Sequence, residues 1–145
     1  MAQKTERSVL NHLIETCRDG ERGFRYAANH LTASPVKALF TEIATQRERF
    51  AADLLPHAQR LGGESESDGT ATGALHRGWM ALKDALSGHD DQAIIREAVR
   101  GEDAAVAAYK GALDGILPPT SRDIIERQYA EVRQARDRVH DLLTR

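Results

Sequence analysis

Apolar residues recur at intervals of three and four along most of this 145-residue chain. That spacing is the pattern of amphipathic helices, because 3.6 residues per turn bring such positions onto one face. Alanine occurs 22 times and aromatic residues make up 5% of the chain, which also favours helices over sheets. The sequence therefore predicts an all-α protein.

Two long helices are predicted in the first part of the chain. The first covers residues 5–31. The second begins with Ser34 as its N-cap and Pro35 at its first helical position, and it stops at Gly62 and Gly63. Only about three residues separate these helices, so we expect them to pack side by side and antiparallel.

Two further long helices are predicted in the second part, after a short helix over residues 75–86. Asp90 is the expected N-cap of the third long helix, which Pro118 and Pro119 end. The last helix is expected to begin at Thr120, since Asp123 three residues later resembles a capping box.

The segment between the second and third long helices is long enough to run the length of a bundle. Residues 62–89 combine an extended linker with the short helix, at about 3.3 Å and 1.5 Å per residue. The second and third long helices can therefore be parallel and joined by a crossover helix. Trp79 of this helix is expected to dock against the bundle, and the alternative is that it contacts another subunit. Two antiparallel pairs with one long crossover form a ferritin-like four-helix bundle, here a single domain over residues 1–145.

Polar residues interrupt the apolar faces at one level of the predicted bundle. Counting from the helix ends places Glu21, Gln46 and Glu102 about twelve residues from the same end. Arg47 flanks Gln46 on the second helix, and Arg136 lies at the matching level of the last helix. The sequence predicts a polar core network of Glu21, Gln46, Arg47, Glu102 and Arg136.

Two chemical interpretations of this layer remain open. Ferritin-like bundles build metal centres from inward Glu residues and Glu-x-x-His motifs, so Glu21, Gln46 and Glu102 are candidate ligands of a divalent metal ion. The Glu-x-x-His motifs are missing, however, and a cationic Arg repels metal. The other interpretation is a buried network in which the two carboxylates pair with Arg47, Arg136 or Arg25.

Three other residues are candidates for polar contacts or for the core. Gln128 falls lower in the bundle near Tyr109, and a hydrogen bond between the two is expected. Cys17 lies on an apolar face, where a single cysteine acts as a small core residue.

Four stretches of the chain are similar to an uncharacterised bacterial family of ferritin-like four-helix-bundle proteins. They are ALHRGWMALK at 74–83, RGEDAAVAAY at 100–109, LPP at 117–119 and RQYAEVR at 127–133. The resemblance implies a ferritin-like bundle and no established activity. Family members often carry His at the position of Arg136, so the resemblance also implies that this chain has lost a ligand if the family site holds metal.

The sequence favours a non-enzymatic helical bundle, a structural or stress-associated interaction module that forms homo-oligomers. The alternative is a metal-binding ferritin-like protein with a degenerate carboxylate site for iron, manganese or zinc. The net charge of −2, with 20 basic and 22 acidic residues, argues against a nucleic-acid partner. No run of 18 apolar residues is present, so we expect no membrane partner and a cytoplasmic location.

Overall fold

The computed structural model of the protein describes residues 6–61 and 90–144. These residues form four α-helices and contain no strand, which confirms the predicted all-helical class for the described part of the chain. The helices are α1 (Glu6–Ala28), α2 (Ser34–Arg60), α3 (Asp91–Leu113) and α4 (Pro119–Asp141), and a 3₁₀-helix (Leu142–Thr144) ends the described chain.

The helix ends differ from the predicted ones where prolines and loops intervene. The N-cap of α2 is Ala33 rather than Ser34, and no side chain caps it. α3 ends five residues before Pro118, and Ile116 in the following loop is 83% exposed. α4 begins at Pro119, directly after Pro118, because proline suits a first helical position without a capping side chain.

Asp90 caps α3 as predicted, and the next residue, Asp91, connects α3 to the loop between α1 and α2. The Asp90 carboxylate accepts a hydrogen bond of 3.0 Å from the backbone N–H of Gln92. The Asp91 carboxylate accepts bonds from the backbone N–H groups of Thr32 and Ala33 and from the Thr32 hydroxyl. Burial opposes the charge on Asp91, but these hydrogen bonds outweigh it and lower its pKa. The α1–α2 loop and the start of α3 therefore share one end of the bundle, called here the upper end.

The helices form a four-membered ring in which α1 packs on α2 and α3, and α4 packs on α3 and α2. At the lower end His57 of α2 lies 3.0 Å from Ser121 of α4. α2 and α3 both run downward from the upper end, as predicted, and occupy diagonal positions where their backbones do not approach each other.

The bundle core divides into an upper and a lower apolar cluster. The upper cluster contains Phe24 and Phe40, whose rings meet edge to face with centroids 4.9 Å apart. The lower cluster contains Leu10, Leu54 and Ile125, all fully buried. Between the two clusters lies a polar level that is equally buried and contains Arg47 and Glu102.

The predicted crossover helix over 75–86, including Trp79, lies outside the described residues. Within the described ranges, no helix is both long enough and apolar enough to span a membrane.

Candidate functional site

A buried ion pair crosses the centre of the bundle between the two apolar clusters. The Arg47 guanidinium of α2 donates to both carboxylate oxygens of Glu102 on α3, at 2.6 Å from Nη1 and 2.7 Å from Nη2. The side chains are 2% and 1% exposed. This fork-to-fork geometry gives two parallel charge-assisted hydrogen bonds, the strongest arrangement available to an arginine and a carboxylate.

A third N–H donor of the guanidinium also has a partner. Arg47 Nε donates a 3.0 Å hydrogen bond to Oε1 of the neighbouring Gln46, and the guanidinium carbon lies 6.0 Å from the centre of the Phe24 ring. Burial disfavours the charge on Arg47. The attraction and hydrogen bonds of Glu102 outweigh that penalty, so the pKa of Arg47 is raised above its ordinary value. Arg47 therefore pairs with Glu102 as a cation.

A glycine on α1 leaves the room that the Arg47 side chain occupies. A Cβ atom at Gly20 would lie 3.5 Å from both Cγ and Nη1 of Arg47, which is ordinary van der Waals contact. Any larger side chain at Gly20 would compete with the guanidinium for this space. At this level of the bundle, the space beside α1 is occupied by the Arg47 side chain of α2, and the residue of α1 that faces it is a glycine.

Glu21, expected in the core, faces the flank of the bundle instead. The buried positions of α1 at this level are Gly20, Gly23 and Phe24, so the inward face is offset by one residue from the predicted one. Glu21 accepts a 3.1 Å hydrogen bond from Arg25, which also bonds Glu48 of α2 at 2.9 Å. This chain of ion pairs closes the outside of the α1–α2 contact.

Arg136, expected as the fourth member of the network, lies at the surface of the bundle. Its side chain is 36% exposed and bonds Asp103 of α3 at 2.8 Å and Asp137 at 3.0 Å. Those hydrogen bonds and charges raise the pKa of Arg136. The buried residue of α4 beside it is Ala135, so the predicted guanidinium of the layer comes from Arg47.

A second polar chain lies below the ion pair, within the lower cluster. The Tyr109 hydroxyl donates a 2.6 Å hydrogen bond to Oε1 of Gln128, which confirms the pairing expected from the sequence. The Cys17 sulfur lies 3.1 Å from the same hydroxyl, and the Gln128 amide donates to the backbone carbonyl of Phe50. Burial raises the pKa of Cys17 to about 11 and that of Tyr109 well above its ordinary value.

The oxygen atoms of Glu102 and Gln46 at the centre of the bundle suit a guanidinium better than a metal ion. Both Glu102 oxygens accept hydrogen bonds from Arg47, and Gln46 Oε1 accepts the third. Glu21 is directed elsewhere. Across residues 6–61 and 90–144, no three histidine, cysteine or acidic side chains converge as metal ligands would.

The sequence left Arg47, Arg136 and Arg25 open as partners of the buried carboxylates, and the structure pairs Arg47 with Glu102. Arg47 and Glu102 both belonged to the predicted layer. The core face of α1 differs from the predicted one by one residue, because Gly20 and not Glu21 is buried, and Arg136 flanks the buried Ala135 of α4 without entering the core. The pair of glycines at 20 and 23 was the available signal, because a helix face that lacks side chains must be filled from a neighbouring helix.

Comparison with known proteins gives a family and no activity. A family model described as a domain of unknown function, DUF2383, matches residues 5–115. No curated protein matches the chain. The matched range includes α1, α2 and α3, and with them Gly20, Arg47 and Glu102, whereas α4 lies beyond it. Because the match spans well over half of the chain, this protein belongs to the family of the domain of unknown function DUF2383.

Proposed function

We propose that this protein is a non-enzymatic, ferritin-like helical bundle that serves as a structural and interaction module. In this proposal a permanent Arg47–Glu102 pair takes the central position at which ferritin-like bundles hold metal. The observation that carries the proposal is the bidentate, completely buried contact between these two side chains.

The chemistry of the pair supports a structural role. A general base needs a carboxylate lone pair that can reach a substrate, and a metal ligand needs one that can reach the ion. Glu102 directs both oxygens to Arg47 and is 0% exposed. The guanidinium already supplies the positive charge that a metal ion would bring to the carboxylate.

The direction of the helices supports the ferritin-like part of the proposal. α2 and α3 begin at the same end, because Asp91 bonds the α1–α2 loop. α2 and α4 run in opposite directions, since His57 meets Ser121 at the lower end and Glu42 meets Arg138 near the upper end. Two antiparallel hairpins related in this way require one long connection, as ferritin-like bundles have.

The test is the metal content of the purified protein after growth with added iron, manganese and zinc. Elemental analysis is compared for the wild type, Glu102→Gln and Asp103→Asn. The last variant is the matched control, since Asp103 neighbours Glu102 but is exposed. Circular dichroism checks that each variant remains helical.

We expect less than stoichiometric metal in all three proteins, because Glu102 is buried and both of its oxygens are already paired with the Arg47 cation. Stoichiometric metal that is lost in Glu102→Gln and kept in Asp103→Asn would overturn the proposal in favour of a metal centre at this level. Stoichiometric metal kept in every variant would also contradict it, by locating a metal site elsewhere in the chain.

A further inference from the structure

An open groove separates α2 from α4, which are the least closely packed neighbours in the ring of helices. Its volume is about 600 Å³. Ile43 and Ala135 form its floor, and polar side chains of both helices form its walls. The groove lies on the outside of the bundle, next to Gln46, so an occupant would contact α2 and α4 together.

One ion pair already spans the groove near the upper end. Arg138 of α4 bonds Glu42 of α2 at 3.0 Å. About two helical turns further down, each helix presents the opposite charge. Arg49 follows Glu42 by seven residues on α2, and Glu131 precedes Arg138 by seven residues on α4. Because α2 and α4 are antiparallel, Arg49 and Glu131 line opposite walls at the same level.

Arg49 and Glu131 do not meet each other in the structure. Among the described residues neither forms an ion pair, and the Arg49 guanidinium rests over the ring of Phe50 at 5.8 Å from its centre. Both side chains are exposed. The lower half of the groove thus carries one positive and one negative group that are available to a partner.

This charge arrangement is complementary to itself. A two-fold axis through the groove would bring Arg49 of one copy against Glu131 of the other, and Glu131 of the first against Arg49 of the second. Isologous contacts of this kind need the same patch on both subunits. The groove carries two Arg and two Glu side chains in all, so it offers no net charge that would attract nucleic acid or an anionic membrane.

We propose that the α2–α4 groove is the contact surface between two copies of this chain, joined by reciprocal Arg49–Glu131 ion pairs. The inference deepens the proposed role as an interaction module and rests on it, because it names the partner. Exposed ion pairs contribute little each and are screened by salt. The dimer is therefore weak and dissociates as the ionic strength rises.

The test is a charge exchange read out by molecular mass. Sedimentation equilibrium at low salt gives the dimer dissociation constant for the wild type, Arg49→Glu, Glu131→Arg and the double variant Arg49→Glu/Glu131→Arg. Arg96→Glu is the matched control, because it makes the same charge change on an exposed position of α3.

We expect each single exchange to raise the dissociation constant about tenfold or more, because it places like charges opposite each other twice in the dimer. The double variant should restore dimerisation, since both contacts become attractive again with their signs reversed. Arg96→Glu should leave the mass unchanged.

Three results would overturn the inference. They are a wild type that is monomeric at all concentrations, single variants that dimerise as well as the wild type, and a double variant as weak as the single ones. Pairing of Arg49 with Glu131 inside one molecule would alter the melting temperature but not the mass. The metal content of these proteins is a separate measurement, so failure of the dimer and failure of the proposed non-metal role are distinguishable.

Discussion

Arg47 and Glu102 connect two helices whose backbones do not touch. α2 and α3 lie on a diagonal of the bundle, and the pair bridges them with hydrogen bonds of 2.6 and 2.7 Å. Since α2 belongs to one helical hairpin and α3 to the other, this contact links the two hairpins through the core. A slip of one hairpin by a helical turn would separate the two charges in an apolar interior.

This link explains why a costly pair stands where an apolar contact would fit. Desolvating both ions offsets much of their attraction, so buried ion pairs often add little net stability over apolar replacements. An unpaired buried ion is far more unfavourable. We infer that the pair acts mainly by excluding other alignments of the hairpins, in the way that single polar core residues fix the register of coiled coils.

Gly20→Ala should stabilise the protein. Alanine is favoured over glycine within a helix by about 1 kcal/mol, and the new methyl group would make ordinary contacts of 3.5 Å with Arg47. Urea unfolding measures the change, and Gly111→Ala serves as the control, because its Cβ would meet no atom within 4 Å. A loss of stability in Gly20→Ala alone would show that the Arg47 side chain cannot share this space.

Arg136→Ala should change the free energy of unfolding by less than about 1 kcal/mol. Its two ion pairs are exposed, and such pairs are weak in water. Chemical denaturation of the variant beside the wild type is sufficient to check this. A loss of about 3 kcal/mol or more would mean that Arg136, and not Arg47, neutralises the buried layer.

Stability should fall between pH 9 and pH 11. The thiol of Cys17 has its pKa raised from 9.0 to about 11 by burial, because the folded protein favours the neutral form. The stabilisation is complete below the pKa of the unfolded chain and is lost as the pH rises through the pKa of the folded protein. A shift of this size corresponds to about 3 kcal/mol. Tyr109 acts in the same direction, since its pKa is also raised.

The variant Cys17→Ser isolates the part due to the thiol. Serine keeps a hydroxyl within reach of Tyr109 but does not ionise in this range. Urea midpoints measured from pH 7 to pH 11 should fall less steeply for Cys17→Ser than for the wild type. Parallel curves for the two proteins would refute the assignment to Cys17.

The sequence predicted the level of the polar layer better than its faces. Counting along the helices brought residues 46, 47 and 102 to one height, since the rise per residue is constant and Asp90 marks the start of α3. The direction of a side chain depends on rotation about the helix axis, where one residue corresponds to about 100°. An error of about 100° in the predicted direction of the core face accounts for the difference at α1, where Gly20 is buried and the neighbouring Glu21 is not.

Tertiary contacts decided the remaining differences. Glu21 pairs with Arg25 at the surface, and Arg136 pairs with Asp103. The sequence pattern does not show whether such a charged residue pairs at the surface or is buried in the core. The Tyr109–Gln128 hydrogen bond was predictable because both residues interrupt apolar faces at one height and have complementary groups. The end of α3 predicted from Pro118 and Pro119 was wrong, since the helix ends at Leu113.

The most direct measurement is a double-mutant cycle on the central pair, by urea unfolding in buffer containing a metal chelator. The four proteins are the wild type, Arg47→Met, Glu102→Leu and the double variant Arg47→Met/Glu102→Leu. Each single variant leaves one buried ion without its partner and should lose about 3–5 kcal/mol. The double variant, with an apolar pair of similar size, should be more stable than either single variant, even if a single variant does not fold at all. If the double variant loses as much free energy of unfolding as the two single variants together, Arg47 and Glu102 act independently. That result would contradict the conclusion that the two residues link the hairpins as a pair.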